Sequence, residues 1–163
     1  MAVYGLENAA GTPVYVHAKV CVIDDVWASV GSDNINLRSW THASEFNRVV
    51  LDDGADGRPP RDPGGLGDDA RRFARDLRLE LSCEHVGGGG GPYPSSATDD
   101  LCDPARAFDA WHEGGRGRRP PGRLRAYRPP DMSRLTRNLA MPPYHLVVDP
   151  DGRPARLRRR NAY

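Results

Sequence analysis

His17 and Lys19 stand two residues apart, and Lys19 is the only lysine among the 23 lysines and arginines of the chain. In an extended segment side chains alternate faces, so an imidazole and an ammonium at this spacing project from one face, about 7 Å apart. Downstream, Gly31-Ser32-Asp33-Asn34 adds a hydroxyl and an amide. An imidazole can attack phosphorus or protonate a leaving oxygen. An ammonium neutralises phosphoryl charge as a compact point charge, where the planar fork of arginine is bulkier and clamps two oxygens at once. Ser32 and Asn34 are expected to donate to the equatorial oxygens. Such a set suits a phosphodiester with neither metal nor cofactor.

Two strands must carry these groups. Residues 13–23 are rich in β-branched side chains and predict one strand that holds both His17 and Lys19. Asp24-Asp25 is a turn signal, and residues 26–30 predict the returning strand of a hairpin. That hairpin brings Ser32 and Asn34 back towards the His17 and Lys19 end. Asp24 falls in the turn at the wrong parity for the site, so it is assigned a structural, turn-capping role. Residues 35–44 are a loop or one irregular helical turn, and 45–51 a third strand. Both flanks of the hairpin are apolar enough to be buried in a sheet.

The stretch from His17 to Asn34 resembles the signature of the phospholipase D superfamily: His-x-Lys, four residues, Asp24, six residues, then Gly31-Ser32-x-Asn34. The following Asn36-x-Arg38-Ser39 segment, leading to Glu45, resembles the phospholipase D-like branch. The resemblance implies a phosphohistidine mechanism in which one motif histidine attacks phosphorus and a second, from another copy of the motif, protonates the leaving alcohol. Carried over, His17 is the acid/base, Lys19, Ser32 and Asn34 hold phosphate, and Glu45 orients the imidazole; Asp24 and Gly31 are structural members of the motif. The other role open to Glu45 is an exposed strand-edge charge. The chain holds no second His-x-Lys, so a second motif-bearing half is expected as partner, in a separate chain or a second copy of this one.

The same comparison sets the expected architecture. Residues 1–113 resemble the C-terminal part of a phospholipase D-like catalytic domain, a partial α/β sheet-and-helix unit. Residues 114–163 are expected to be a linker, a short helix and a terminal hairpin around Asp151-Gly152 within 144–157. Between them, an amphipathic helix is predicted from Asp68-Asp69 to about His85, with Phe73, Leu77 and Leu81 as its apolar stripe and Ala70, Ala74 and Cys83 near it. The glycine run at 87–91 is expected to end it. A second helix is predicted over 103–113, with Asp103 as N-cap and Pro104 in the first turn.

Composition narrows the function classes. The 18 glycines and 15 prolines gather after residue 52, which predicts a looser, Gly/Pro/Arg-rich C-terminal region. A net charge of +1 gives no general pull towards nucleic acid, and the late arginine runs are expected to be solvated. Three cysteines without CxxC spacing argue against a disulfide framework or a zinc site. No run of about 18 apolar residues is present, so no membrane span is expected. The expected location is the cytoplasm, with peripheral attachment at a membrane as the variant.

Among the remaining candidates, His42 and Arg38 lie beside the motif. Arg38 either assists phosphate or pairs with Glu45 or Asp33. His85, His112 and His145 are expected to be structural, Trp27 to pack, Trp40 to pack or else to contact a lipid or leaving group, and Cys21 to be an inert, buried strand cysteine. Three functions are therefore carried forward. The first is a phospholipase D-like phosphodiesterase acting on a phospholipid headgroup ester by hydrolysis or transfer, as an incomplete catalytic unit. The second is a homodimeric single-motif nuclease, and the third a catalytically silent binding fragment.

Overall fold

The computed structural model describes residues 2–8, 10–58, 69–86, 101–116 and 124–160. The chain has mixed α/β character, with helices and two three-stranded sheets. It forms two compact units: Met1–Ser29 with Val49–Arg128, and Val30–Arg48 with Pro129–Tyr163.

In the first unit, β1 (Tyr4–Glu7) pairs antiparallel with β2 (Pro13–Val14), Leu6 opposite Val14. On its other side β1 pairs antiparallel with β6 (Leu124–Ala126), Leu6 opposite Leu124. The β1–β2 connection is tied by Asn8, whose Oδ1 accepts from the amides of Ala10 and Thr12, both at 2.9 Å. Gly11 takes a φ of 78° there, a left-handed conformation that glycine adopts without steric cost.

The second sheet has the order β3-β4-β5, from β3 (Lys19–Ile23), β4 (Trp27–Gly31) and β5 (Asn47–Leu51). Asp24 and Asp25 have φ of 52° and 55°, and the amide of Val26 donates to the carbonyl of Ile23 at 3.0 Å. Two successive positive φ values match the twist of the flanking strands, as in a type I′ hairpin turn. The expected hairpin is therefore present, but the single strand over 13–23 is not. Residues 13–14 belong to the first sheet and 19–23 to the second, so the chain must leave one ladder before joining the other, and residues 15–18 lie outside both.

Burial of this hairpin is also less than expected. Ile23 is 50% exposed, Leu51 is 72% exposed, and Cys21 is exposed rather than buried.

Helix α2 (Arg72–Val86) starts later than Asp69 and buries the Ala74 and Cys83 side of the predicted stripe, with Leu77 and Leu81 half-buried. Ala74, Arg75, Leu79, Ser82 and Cys83 are inside, while Phe73 is 41% exposed. The cause is electrostatic. Asp25, at 3% exposure, accepts from Arg75 Nε at 3.2 Å and from Arg78 Nη2 at 2.7 Å. Arg75, wholly buried, also donates Nη1 to the carbonyl of Arg58 at 2.6 Å. The Arg78 guanidinium reaches the carbonyl of Leu101 at 2.8 Å. A buried charge must be paired and hydrogen-bonded. Meeting that demand turns the Arg75 side of the helix inward.

Leu79 and Cys83 then pack with Leu101, Cys102, Ala107 and Ala110 into a core of mostly small side chains. The last two come from α3 (Pro104–Gly115), whose N-cap Asp103 accepts from the amides of Ala105 and Arg106, as its sequence predicts. Trp111 of α3 donates Nε1 to Ser82 Oγ at 3.2 Å, and its ring also meets that of His85. The glycine run at 87–91, and residues 59–68 and 117–123, lie outside the described residues.

Two carboxylates of this unit make it acid-sensitive. Backbone amides of Gly54 and Phe73 donate to Asp52 and hold its pKa below the usual carboxylate range. The Arg58 side chain does the same for Asp56. A carboxylate with a depressed folded-state pKa stabilises the fold above its ordinary pKa of 3.8, and that contribution fades as pH falls through the folded value. The denaturant midpoint at pH 3 is therefore expected to fall below that at pH 6. Equal midpoints would contradict these two assignments.

The second unit contains α1 (Leu37–Thr41), α4 (Arg134–Pro143), a π-helical turn (Tyr144–Val148) and α5 (Ala155–Arg160). These last elements replace the expected terminal hairpin. A hairpin around Asp151-Gly152 needs two strands free to pair with each other. Here the Gly152 amide donates to Thr41 Oγ1 at 3.0 Å, Pro154 has no amide to offer, and Asp151 pairs with Arg153 at 2.8 Å. Arg153 holds the Asp151 carboxyl down to about 2.

Candidate functional site

The motif residues fall into two groups, each built by its own unit. In the first unit His17 precedes β3 and Lys19 opens it, so the pair does not occupy alternate positions of one strand. The Lys19 ammonium turns back instead and donates to the carbonyl of His17 at 2.8 Å. This leaves other ammonium hydrogens to serve an anion, since an ammonium has three donors. The His17 ring is exposed and stacks on Tyr15, centroids 5.7 Å apart and planes 28° apart. Asp24 sits exposed in the hairpin turn, and its neighbour Asp25 makes the buried contacts.

In the second unit a carboxylate organises the Gly31–Asn34 loop. Ser32 donates its hydroxyl to Glu45 Oε2 at 2.6 Å and accepts from the Phe46 amide at 2.9 Å. Ser39, on α1, donates to Glu45 Oε1 at 2.8 Å and accepts from the Asn34 amide at 3.2 Å. Both oxygens of Glu45 are thus engaged by hydroxyls. The Ser32 proton is directed at that carboxylate rather than at solvent. Asn34 is held through its backbone, its carbonyl also accepting from the Asn36 amide at 2.8 Å, and the residue is exposed. Beside it, Asp33 and Asn47 hydrogen-bond across the loop mouth.

Gly31 is where the opposing strand comes closest. A Cβ there would run into Asn47 Oδ1 and the Phe46 carbonyl, and would lie 2.7 Å from Asn47 Cα. Two of these three atoms are backbone and cannot swing away. Gly31→Ala is expected to cost about 1–3 kcal/mol, the usual penalty of overpacking. It should also loosen the Ser32–Phe46 pairing at 3.0 Å. A thermal melt indistinguishable from wild type would show that the strands can separate freely.

Helix α1 carries Ser39 and is capped twice. Asn36 Oδ1 accepts from the Ser39 amide at 2.8 Å. Asp149 Oδ2 accepts from the Leu37 amide at 3.0 Å and Oδ1 from the Arg38 amide at 2.9 Å. Burial works to raise the Asp149 pKa, but these two amides together with the charges of Arg38 and His145 outweigh it and the net shift is downward. Trp40, on the same helix, is 52% exposed, against the expectation that it packs.

Asp25, Ser39 and Asp149 escaped the assignment from sequence. Ser39 had a signal, since it ends the Asn-x-Arg-Ser segment. Asp149 had none, because its partner Leu37 is 112 residues away. Among the described residues no cluster of three or more His, Cys, Asp or Glu could hold a metal ion, and no helix is long and apolar enough to cross a membrane.

Comparison with known proteins points one way. The chain is 37% identical over 103 residues to phospholipase D C of Dictyostelium discoideum, covering 60% of this chain and 6% of that protein. It is 37% identical over 91 residues to phospholipase D1 of Mus musculus, covering 56% of this chain and 8% of that protein. It is 38% identical over 81 residues to phospholipase D zeta 1 of Arabidopsis thaliana, covering 48% and 7%. These matches support a relationship to phospholipases D, and the chain spans less than a tenth of the length of each of these relatives. No family model matches the chain, and no solved structure matches it significantly.

Proposed function

We propose that this chain supplies one motif-bearing half of a phospholipase D-type phosphodiesterase acting on a phospholipid headgroup ester. A histidine of the second half attacks phosphorus, a P–N bond forms and the P–O bond to the leaving alcohol breaks. His17 gives its proton to that departing oxygen. It then takes a proton from water or an acceptor alcohol, whose oxygen attacks the phosphohistidine and restores the free imidazole of the partner. Lys19 and Asn34 serve the non-bridging oxygens, and Glu45 is the carboxylate that the family resemblance assigns to orienting a motif histidine. Ser32 and Ser39 keep that carboxylate in place.

The observation that carries this reading is the state of Glu45. A strand-edge charge would be solvated, whereas this carboxylate is pinned by two hydroxyls directly behind the Ser-x-Asn loop. Similarity to phospholipases D over about half the chain supports it independently.

The test is hydrolysis of a nitrophenyl phosphodiester in EDTA, by the chain alone and mixed with a separately produced motif-bearing half of a related phospholipase D. Little turnover alone and metal-independent turnover in the mixture is the expected result. No turnover in either would identify a silent fragment. A stable dimer of this chain that cleaves DNA in EDTA would identify the homodimeric nuclease instead.

A further inference from the structure

We infer that Asp149 is a positioning residue for the Ser32–Asn34–Glu45 group, acting through α1. The inference rests on the reading of Asn34 and Glu45 as site residues. Helix α1 has five residues, too few to hold itself in water. Its own cap, Asn36, satisfies only the Ser39 amide. The amides of Leu37 and Arg38 are taken by the two oxygens of Asp149, a residue only 8% exposed. Asp149 is itself fixed, because its amide donates to the carbonyl of Tyr144 at 2.9 Å and closes the π-helical turn.

A second tie holds the far end of the helix. Gly152 donates its amide to Thr41 Oγ1 at 3.0 Å. The His42 ring lies so close over Gly152 that a Cβ there would have no room. Segment 149–152 therefore grips α1 at both ends.

Ser39 transmits that grip. Its hydroxyl joins α1 to both the Asn34 backbone and the Glu45 carboxylate. If the first turn of α1 loosens, Ser39 moves, and the phosphate-facing amide and the orienting carboxylate lose their common anchor. A cap confined to helix stability would leave Asn34 unaffected, and this is the difference that can be measured.

The experiment is residue-resolved amide hydrogen exchange on the full chain, with inorganic phosphate titrated against the Asn34 side-chain resonances. Asp149→Ala removes both acceptors. Asp149→Asn keeps the shape and one acceptor oxygen. Exchange at Leu37 and Arg38 is expected to rise about tenfold or more in Asp149→Ala, the scale of one lost hydrogen bond to a charged group. Asn34 should rise with them, Asp149→Asn should fall between, and phosphate affinity should drop several-fold in the same order. The Val26 amide in the β3–β4 turn should stay protected throughout, as the control for an intact first unit. Should Asp149→Ala fail to fold, Asp149→Asn decides alone.

Faster exchange at Leu37 and Arg38 with Asn34 unchanged would overturn the inference and reduce Asp149 to a helix cap. A wild-type chain whose Asn34 ignores phosphate, but whose Asn34 exchange still follows Asp149, would overturn the phosphodiesterase reading and leave the mechanical coupling standing.

Discussion

Asp25→Ala should cost the first unit about 3–5 kcal/mol, the penalty for breaking a buried ion pair by removing one member, with Asp56, 3.8 Å from Arg75 Nε, left as a more distant carboxylate. Set against the roughly 5–15 kcal/mol that holds a typical domain together, that is a large part of the whole. Arg75 is wholly buried, and Arg78 forks its Nε and Nη2 around the same carboxylate. The carbonyl of Asp25 also accepts from the Arg71 amide at 2.8 Å, so the residue joins the hairpin turn to the start of α2. The nearby core is built largely from alanine and cysteine and has little apolar area with which to compensate. Asp24→Ala is the control. Asp24 is exposed and shares the positive φ, so its replacement should cost only the strain of alanine in a left-handed conformation. Denaturant melts of the two variants should differ widely in midpoint. Coincident curves would mean that the arginines find other partners and that the Asp25 cluster is not what orients α2.

The second large effect is catalytic. His17→Ala is expected to lower metal-independent phosphodiester turnover by at least about 10²–10⁴-fold in the presence of a second motif-bearing half, the usual contribution of a positioned acid/base. The His17 ring is exposed and touches Tyr15, so its removal should leave the melting curve close to wild type. That separation of activity from stability distinguishes a chemical role from a structural one. Turnover within twofold of wild type would remove His17 from the mechanism. A substrate with a leaving group too acidic to need protonation should partly rescue the variant, because its departing oxygen carries less charge.

Local chemistry made part of this structure readable. The β3–β4 turn is two aspartates whose neighbours three residues apart close a hydrogen bond, and the α3 cap is an aspartate with proline behind it. Both involve groups a few residues apart, for which residue type and spacing are sufficient information. Gly31-Ser32-Asp33-Asn34 is legible as a motif, but its turn out of the strand is held by partners 14 residues away, Asn47 and Phe46. Hydrophobic spacing, by contrast, placed only part of the inward face of α2. Its stripe of Phe73, Leu77 and Leu81 is regular, yet the face that turns inward carries Arg75. Periodicity registers apolar side chains and is blind to a charge whose partner lies 50 residues earlier.

What the sequence determined by itself is therefore the set of groups: a single lysine two residues from a histidine, a Ser-x-Asn loop at the end of a hairpin, and a glutamate beyond it. Tertiary structure alone decided how these groups are held. It broke the expected 13–23 strand between two sheets, turned the Lys19 ammonium onto the His17 carbonyl, gave the Ser32 hydroxyl to Glu45 and brought Asp149 to the first turn of α1. The last three share one physical reason. A buried or half-buried polar group must find a partner wherever the folded chain supplies one, and that partner need not be near in sequence.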